Sequence, residues 1–192
     1  MKINIKFSNK KISQYENDTK DWPTDREYMA YRALEAIKEG SGNFHGIAAE
    51  DDQNNLIAIA AFQIMGKDSV TKILKFRSAA RNAISDLGGN ANYEKYTDKL
   101  KDKYGSLEYT DKVIDKYSTV TDEFIDTIPD KATYIHYLAG IGVGGAGYIM
   151  KILLQASNMI VLEMDLVGKN MSFYKHFGFQ RFEKTKWMYY LK

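Results

Sequence analysis

Polar and apolar side chains alternate over residues 2–7, the two-residue period of a half-buried strand. The run DWPTDR (21–26) then carries helix-start chemistry, with Thr24 or Asp25 as the expected N-cap. Tyr28, Tyr31, Leu34 and Ile37 follow at helical spacing until Gly40 closes the run. Residues 44–50 and 56–64 are strand-like, and the turn-forming DDQNN (51–55) between them predicts a β-hairpin. The first 66 residues therefore read as strand, helix, strand, strand.

From residue 67 to 131 the pattern changes to one rich in Lys, Asp and Tyr, with apolar residues at helical spacing. Leu100, Tyr104 and Leu107 form one set; Val113, Tyr117, Val120, Phe124 and Ile128 form another. A duplication lies here: YTDKLKDKYGSLE (96–108) is followed by YTDKVIDKYSTVT (109–121), identical at seven of thirteen positions. Thirteen residues rotate a continuous helix by roughly 220°, so the copies would not share a face, and Gly105-Ser106 is expected to separate them. The segment reads as an amphipathic helical hairpin with solvated charged faces. A tyrosine-lined channel is the functional alternative.

Residues 132–192 return to a strand-and-helix order. A strand over 133–138 leads into GIGVGGAG (140–147), a helix over 148–155, a buried strand over 159–166 and a short helix over 171–177. A hairpin from 179–182 and 187–191 closes the chain. Strand, glycine loop, helix, strand is a βαβ unit with its ligand at the helix N-terminus.

Composition narrows the chemistry. The chain has 192 residues, 44% of them hydrophobic, enough to bury a core without staples. It has no cysteine, which excludes disulfides, thiolate metal sites and a cysteine nucleophile. The three histidines (His45, His136, His176) are scattered, so no metal is expected. The formal net charge of +2 gives no electrostatic case for nucleic acid or a membrane surface. The opening residues lack the long apolar run of a signal peptide, and no stretch has the length of a membrane span, so a cytoplasmic protein is expected.

Five glycines in eight residues before an apolar helix let the backbone approach an anion, and the helix start points N–H groups at it. A phosphate or pyrophosphate suits such a loop, although glycine runs also serve turns and close packing. No Lys-Ser/Thr pair follows, which excludes a Walker loop. A dinucleotide fingerprint would belong in a first βα unit; Asp165 is the acidic residue it would use.

The second motif discriminates. SFYKHFGF (172–179) resembles the FYxxxGF signature that ends the fold of GNAT-family N-acyltransferases, one strand after the glycine loop. Aligned without gaps, GVGGAG (142–147) falls on that family's Gln/Arg-x-x-Gly-x-Gly/Ala motif. Gly142 stands in place of the Gln or Arg, and Val167 stands where many relatives carry asparagine, with Asn170 nearby in another register. The motif-level likeness covers about a third of the chain.

The resemblance implies an α/β fold: one domain over 1–192, a mixed central sheet flanked by helices, with a helical insertion (67–131) between two central strands. It implies transfer of an acyl group, with acetyl-CoA the expected co-substrate, to an unidentified primary amine by direct attack. A backbone N–H from the strand Ile135–Leu138 would stabilise the oxyanion, with Tyr137 and Leu138 counted among the donor-binding residues. The amides of Gly142, Val143, Gly144, Gly145, Ala146 and Gly147 would hold the pyrophosphate, with Asn170 alongside. Tyr174 would protonate the leaving thiolate. The base is left between His136 on the strand before the loop and Glu163 on the strand after it. Tyr174 packing merely against Phe173 and Phe177 is the structural alternative, as is a purely structural role for His136 or Glu163. Two other readings keep the fold: an inactive binding protein using the insertion as its surface, and a toxin-like enzyme acylating aminoacyl-tRNA or protein. A homodimer through edge strands is also expected.

Overall fold

In the computed structural model the described residues are 1–40, 43–86, 114–141, 144–163, 170–182 and 187–192, with the side chains of 77, 80, 81 and 84–86 excepted. The chain divides into two compact units, Met1–Met65 with Lys131–Lys192, and Gly66–Asp130.

The first unit is built on a seven-stranded sheet. Its strands are β1 (Lys2–Asn4), β2 (His45–Glu50), β3 (Leu56–Gly66), β4 (Lys131–Gly140), β5 (Met159–Glu163), β6 (Gln180–Arg181) and β7 (Trp187–Leu191). They lie in the order β1-β2-β3-β4-β5-β7-β6. β2 and β3 form the expected antiparallel hairpin, with Ala48 opposite Ile59. β4 and β5 are parallel and β5 and β7 antiparallel, so the sheet is mixed as expected.

Small residues decide how closely the helices approach the sheet. Ala49, Ala58 and Ala60 face one core with Ile149, Met150 and Leu153 of α5 (Gly145–Ala156). Ala48, Ile59 and Ala61 face the other, with Ile12 and Tyr15 of α1 (Asn9–Asp18) and Ala30, Ala33 and Leu34 of α2 (Thr24–Glu39). Alternation along β3 thus feeds two cores, one on each face.

The N-terminal helices differ from the sequence reading. α1 is an additional helix, begun where Ser8 accepts from the Lys11 N–H at 3.2 Å. Its two inward residues, Ile12 and Tyr15, are too few for a clear periodic signal. α2 starts at Thr24 with Pro23 at the cap and no side-chain cap bond, so neither Thr24 nor Asp25 caps it. Its buried stripe runs through Ala30, Ala33 and Leu34, while Tyr28 and Tyr31 are exposed.

A buried polar knot fastens α1. The Tyr15 hydroxyl donates to Glu50 Oε1 at 2.5 Å, Lys11 pairs with the same carboxylate, and Asn4 Nδ2 donates to Tyr15 Oη at 3.1 Å. Burial opposes the charge on Glu50, but the bonds from Lys11 and Tyr15 outweigh it and hold its pKa below the ordinary carboxylate value.

In the second unit, α3 (Lys67–Asp86) buries Val70 and Leu74. Ser78 Oγ and Thr119 Oγ1 lie 3.0 Å apart, and Asn82 Nδ2 donates to the Tyr117 carbonyl at 2.8 Å. A helical turn covers 114–117, and α4 (Asp122–Thr127) starts afresh where Thr121 accepts from the Phe124 N–H. The apolar set from Tyr117 to Ile128 is therefore divided between separate pieces. Residues 96–108, the first copy of the repeat, and 109–113, the opening of the second copy with Val113, lie outside the described residues.

Close approach makes one glycine testable. A Cβ on Gly145 would lie 3.0 Å from Ala58 Cβ and 3.2 Å from the Ile57 carbonyl, whereas one on Gly147 would meet only Phe177 Cζ at 3.5 Å. Gly145→Ala should cost about 1–3 kcal/mol by overpacking, lowering Tm by several degrees. Gly147→Ala should leave Tm unchanged or raise it slightly. Thermal denaturation of the two variants checks this; equal Tm values would remove the packing role of Gly145.

Candidate active site

β4 organises the site through an irregularity. Ile135 and Leu138 pack on the α5 side of the sheet, whereas Tyr137, Ala139 and Ile141 pack on the side of α1 and α2. Regular alternation would put Ile135 and Tyr137 on one face, so side-chain direction slips by one residue between them, at His136. Among the described residues, the parallel register with β5 ends at Ile135↔Leu162, although β4 continues to Gly140. Beyond that pair lies a cleft of about 840 Å³, a size suited to a small ligand or cofactor-like molecule.

One wall is the start of α5. Gly144 precedes the helix at φ 105°, a left-handed conformation that a side chain would strain. The first bond of the helix runs from the Tyr148 N–H to the Gly144 carbonyl at 2.8 Å, so the N–H groups of Gly145, Ala146 and Gly147 come before the helical ladder. Gly144, Ala146 and Gly147 line the cleft. The buried Gly145 packs against β3 instead.

The opposite wall carries α6 (Met171–His176), with Asn170 immediately before it. Asn170, Phe173 and Tyr174 line the cleft. The Tyr174 ring is set edge-on between Phe173 and Phe179, at 5.2 and 5.7 Å. Gly178, at φ 85°, ends the helix so that the Phe179 N–H reaches the Tyr174 carbonyl at 3.1 Å and Phe179 enters the core. The spacing in FYxxxGF is thus the spacing of a helix and its stop, which fixes where the tyrosine stands.

His136 lies on the cleft, with rings of Tyr134 and Phe44 at 4.0 and 4.7 Å. Its Nε2 is 2.7 Å from Gln63 Oε1; with the amide oxygen accepting, Nε2 carries the hydrogen and Nδ1 the lone pair. Burial pushes its pKa down to about 4, so the ring is neutral at pH 7. Glu163 also lines the cleft, from the exposed end of β5.

The cleft therefore brings together Tyr174, His136, Glu163, Leu138, Gly144, Ala146, Gly147 and Asn170. It does not include the Tyr137 side chain, whose hydroxyl meets Arg32 at 3.4 Å on the other side of the slip. Gly142, Val143, Asp165 and Val167 lie outside the described residues. His45 and His176 are exposed and do not line it. The sequence reading missed Asp25, Arg26, Tyr28 and Met29, which line the cleft from the first turns of α2. Their only local signal was the helix start itself. Among the described residues no cluster of three His, Asp or Glu could hold a metal, and no described helix is long and apolar enough to cross a membrane.

No family model and no curated protein matches the chain. Solved structures do. A mutant of KacT aligns at TM-score 0.50 and 14% identity, over 100% of this chain and 95% of that one. AtaTR bound with AcCoA aligns at TM-score 0.50 and 12% identity, over 99% and 92% of the two chains. A GNAT family acetyltransferase from Brucella melitensis in complex with acetyl-CoA aligns at TM-score 0.42 and 12% identity, over 99% and 86%.

The depressed pKa of His136 has a measurable sign. An unfolded chain takes up a proton near pH 6.5, whereas the folded one refuses it until about pH 4. His136 thus contributes stability above pH 6.5 that is lost progressively toward pH 4. The fall in Tm between pH 7 and pH 5 should be smaller for His136→Gln than for the parent; identical falls would contradict the burial of a neutral imidazole.

Proposed function

We propose, from the premise that the chain has the GNAT fold, that it is an acyl-CoA-dependent N-acyltransferase using acetyl-CoA as donor and a primary amine as acceptor. The observation that carries this reading is the cleft beyond Ile135↔Leu162, lined by the start of α5 on one side and Tyr174 on the other. The early N–H groups of α5 and its dipole suit the donor's pyrophosphate. The apolar walls contributed by Leu138, Leu162 and Phe173 suit the pantetheine arm.

In this mechanism the amine nitrogen attacks the thioester carbonyl, a C–N bond forms, and the C–S bond breaks as the tetrahedral intermediate collapses. Donors on β4 beside the slip stabilise the oxyanion. As the intermediate collapses, the nitrogen gives up one proton through a water to bulk solvent. The phenol of Tyr174 gives its proton to the departing thiolate, and bulk solvent restores that phenol. His136, neutral and oriented by Gln63, offers Nδ1 as a hydrogen-bond acceptor to the amine or an intervening water. With a pKa of about 4 it is too weak a base to strip an ammonium in the pH range of activity. The neutral amine is therefore the reacting species, and the carboxylates of Glu163 and Asp25, which line the cleft, favour approach of the cationic form.

Isothermal titration with acetyl-CoA and CoA tests the donor site, followed by a screen of primary amines for acetyl transfer. The parent should bind both ligands, and a folded parent that binds neither overturns the proposal. Tyr174→Phe should keep donor affinity within a factor of about three while kcat falls by roughly 10²-fold, in the range for loss of a general acid. With an active amine, log(kcat/KM) should rise with pH up to the amine's own pKa and show no inflection near 6.5. An inflection there would restore His136 as a titrating base.

A further inference from the structure

The glycine loop lacks the side chain that the resemblance would place at position 142, and the cleft holds a cation from elsewhere in the chain. Arg26, on the first turn of α2, donates from Nη1 to the Gly140 carbonyl at 2.9 Å. Gly140 is itself pressed against the start of α5: a Cβ built there would lie 3.2 Å from the Ala146 Cβ and 3.3 Å from the Ala146 nitrogen. Arg26 and the loop-side residues Gly140, Gly144, Ala146 and Gly147 line the same cleft.

Three features fit this guanidinium for anion binding. It is exposed, so it keeps its charge at little desolvation cost. Among the described residues it forms no ion pair with a carboxylate. The bond to Gly140 uses one of its five N–H donors and fixes the plane of the group, leaving the rest of the fork for a bidentate contact with phosphate oxygens.

We infer that Arg26 supplies, from across the cleft, the cationic side chain missing at Gly142, and that it binds the pyrophosphate of the acyl-CoA. The inference rests on the proposed acyl-CoA reading. It divides the phosphate site between two segments 114 residues apart, with backbone donors from the start of α5 and charge from α2. Donor binding then draws α2 and the glycine loop onto one ligand, with Asp25 and Tyr28 of the same helix turn also lining the cleft.

The test separates charge from scaffolding. Affinities for CoA and for S-acetylpantetheine, which keeps the thioester and lacks the pyrophosphate, are measured by titration and thermal shift. The proteins are the parent, Arg26→Gln and Arg26→Lys. Glutamine keeps a donor for the Gly140 carbonyl and loses the charge; lysine keeps the charge and loses the fork. Arg26→Gln should weaken CoA about 10- to 100-fold and Arg26→Lys less, with S-acetylpantetheine changed less than about threefold by either. CoA binding to folded Arg26→Gln at parental affinity overturns the inference while leaving the acyl-CoA site intact. Equal losses for both ligands also overturn it and reduce Arg26 to a support for the Gly140 carbonyl. A parent that binds no CoA sinks the acyl-CoA reading itself.

Discussion

Ile135 and Leu162 form the last described pair between β4 and β5, and the architecture of the site follows from where that pairing ends. Up to it, two parallel strands share hydrogen bonds in the middle of a sheet covered on both faces. Past it, β4 carries on toward the glycine loop with its side chains shifted by one position, and the space beside it is a cleft. Backbone groups released from a ladder must find other partners or a ligand. Placing such groups beside the open end of a helix gives the region backbone polarity beside both apolar walls and charged side chains.

The alanines of β2 and β3 make that placement sterically possible. Ala58 admits both Gly140 at the end of β4 and the buried Gly145 at the start of α5. A larger residue at 58 would push the start of α5 off the sheet and move its first N–H groups away from Tyr174. The positions of donor and phenol are thus set by packing on the core side, before any ligand is considered. Gly178 plays the matching part on the other wall, because its left-handed turn sends Phe179 into the core and holds the helix bearing Tyr174.

Much of this was legible in the sequence where the signal is local. The hairpin, the βαβ order and the short helix before Gly178 are each written in a few consecutive residues. The helix α1 was not, because only Ile12 and Tyr15 point inward and a lone Ser8 marks its start. The tyrosines of α2 misled because their spacing is helical while their burial is set by the alanines beside them. The direction of His136 could not be read at all, since it depends on a one-residue slip whose partner, Gln63, is 73 positions away. The contribution of α2 to the cleft has the same character. It is a contact between segments, and no local pattern encodes it.

The second unit illustrates a different freedom. The Lys67 N–H donates to the Asp130 carbonyl at 3.1 Å, so residues 66–130 depart and return through one hydrogen-bonded neck. Closing a chain excursion becomes dearer only logarithmically with its length, by about 0.6 kcal/mol per doubling. Once the neck is made, the strands on either side have no means of counting the residues beyond it. Lengthening by tandem copying, of the kind preserved in the repeated YTDK segments, is therefore an edit that this fold accepts without re-registering a single strand.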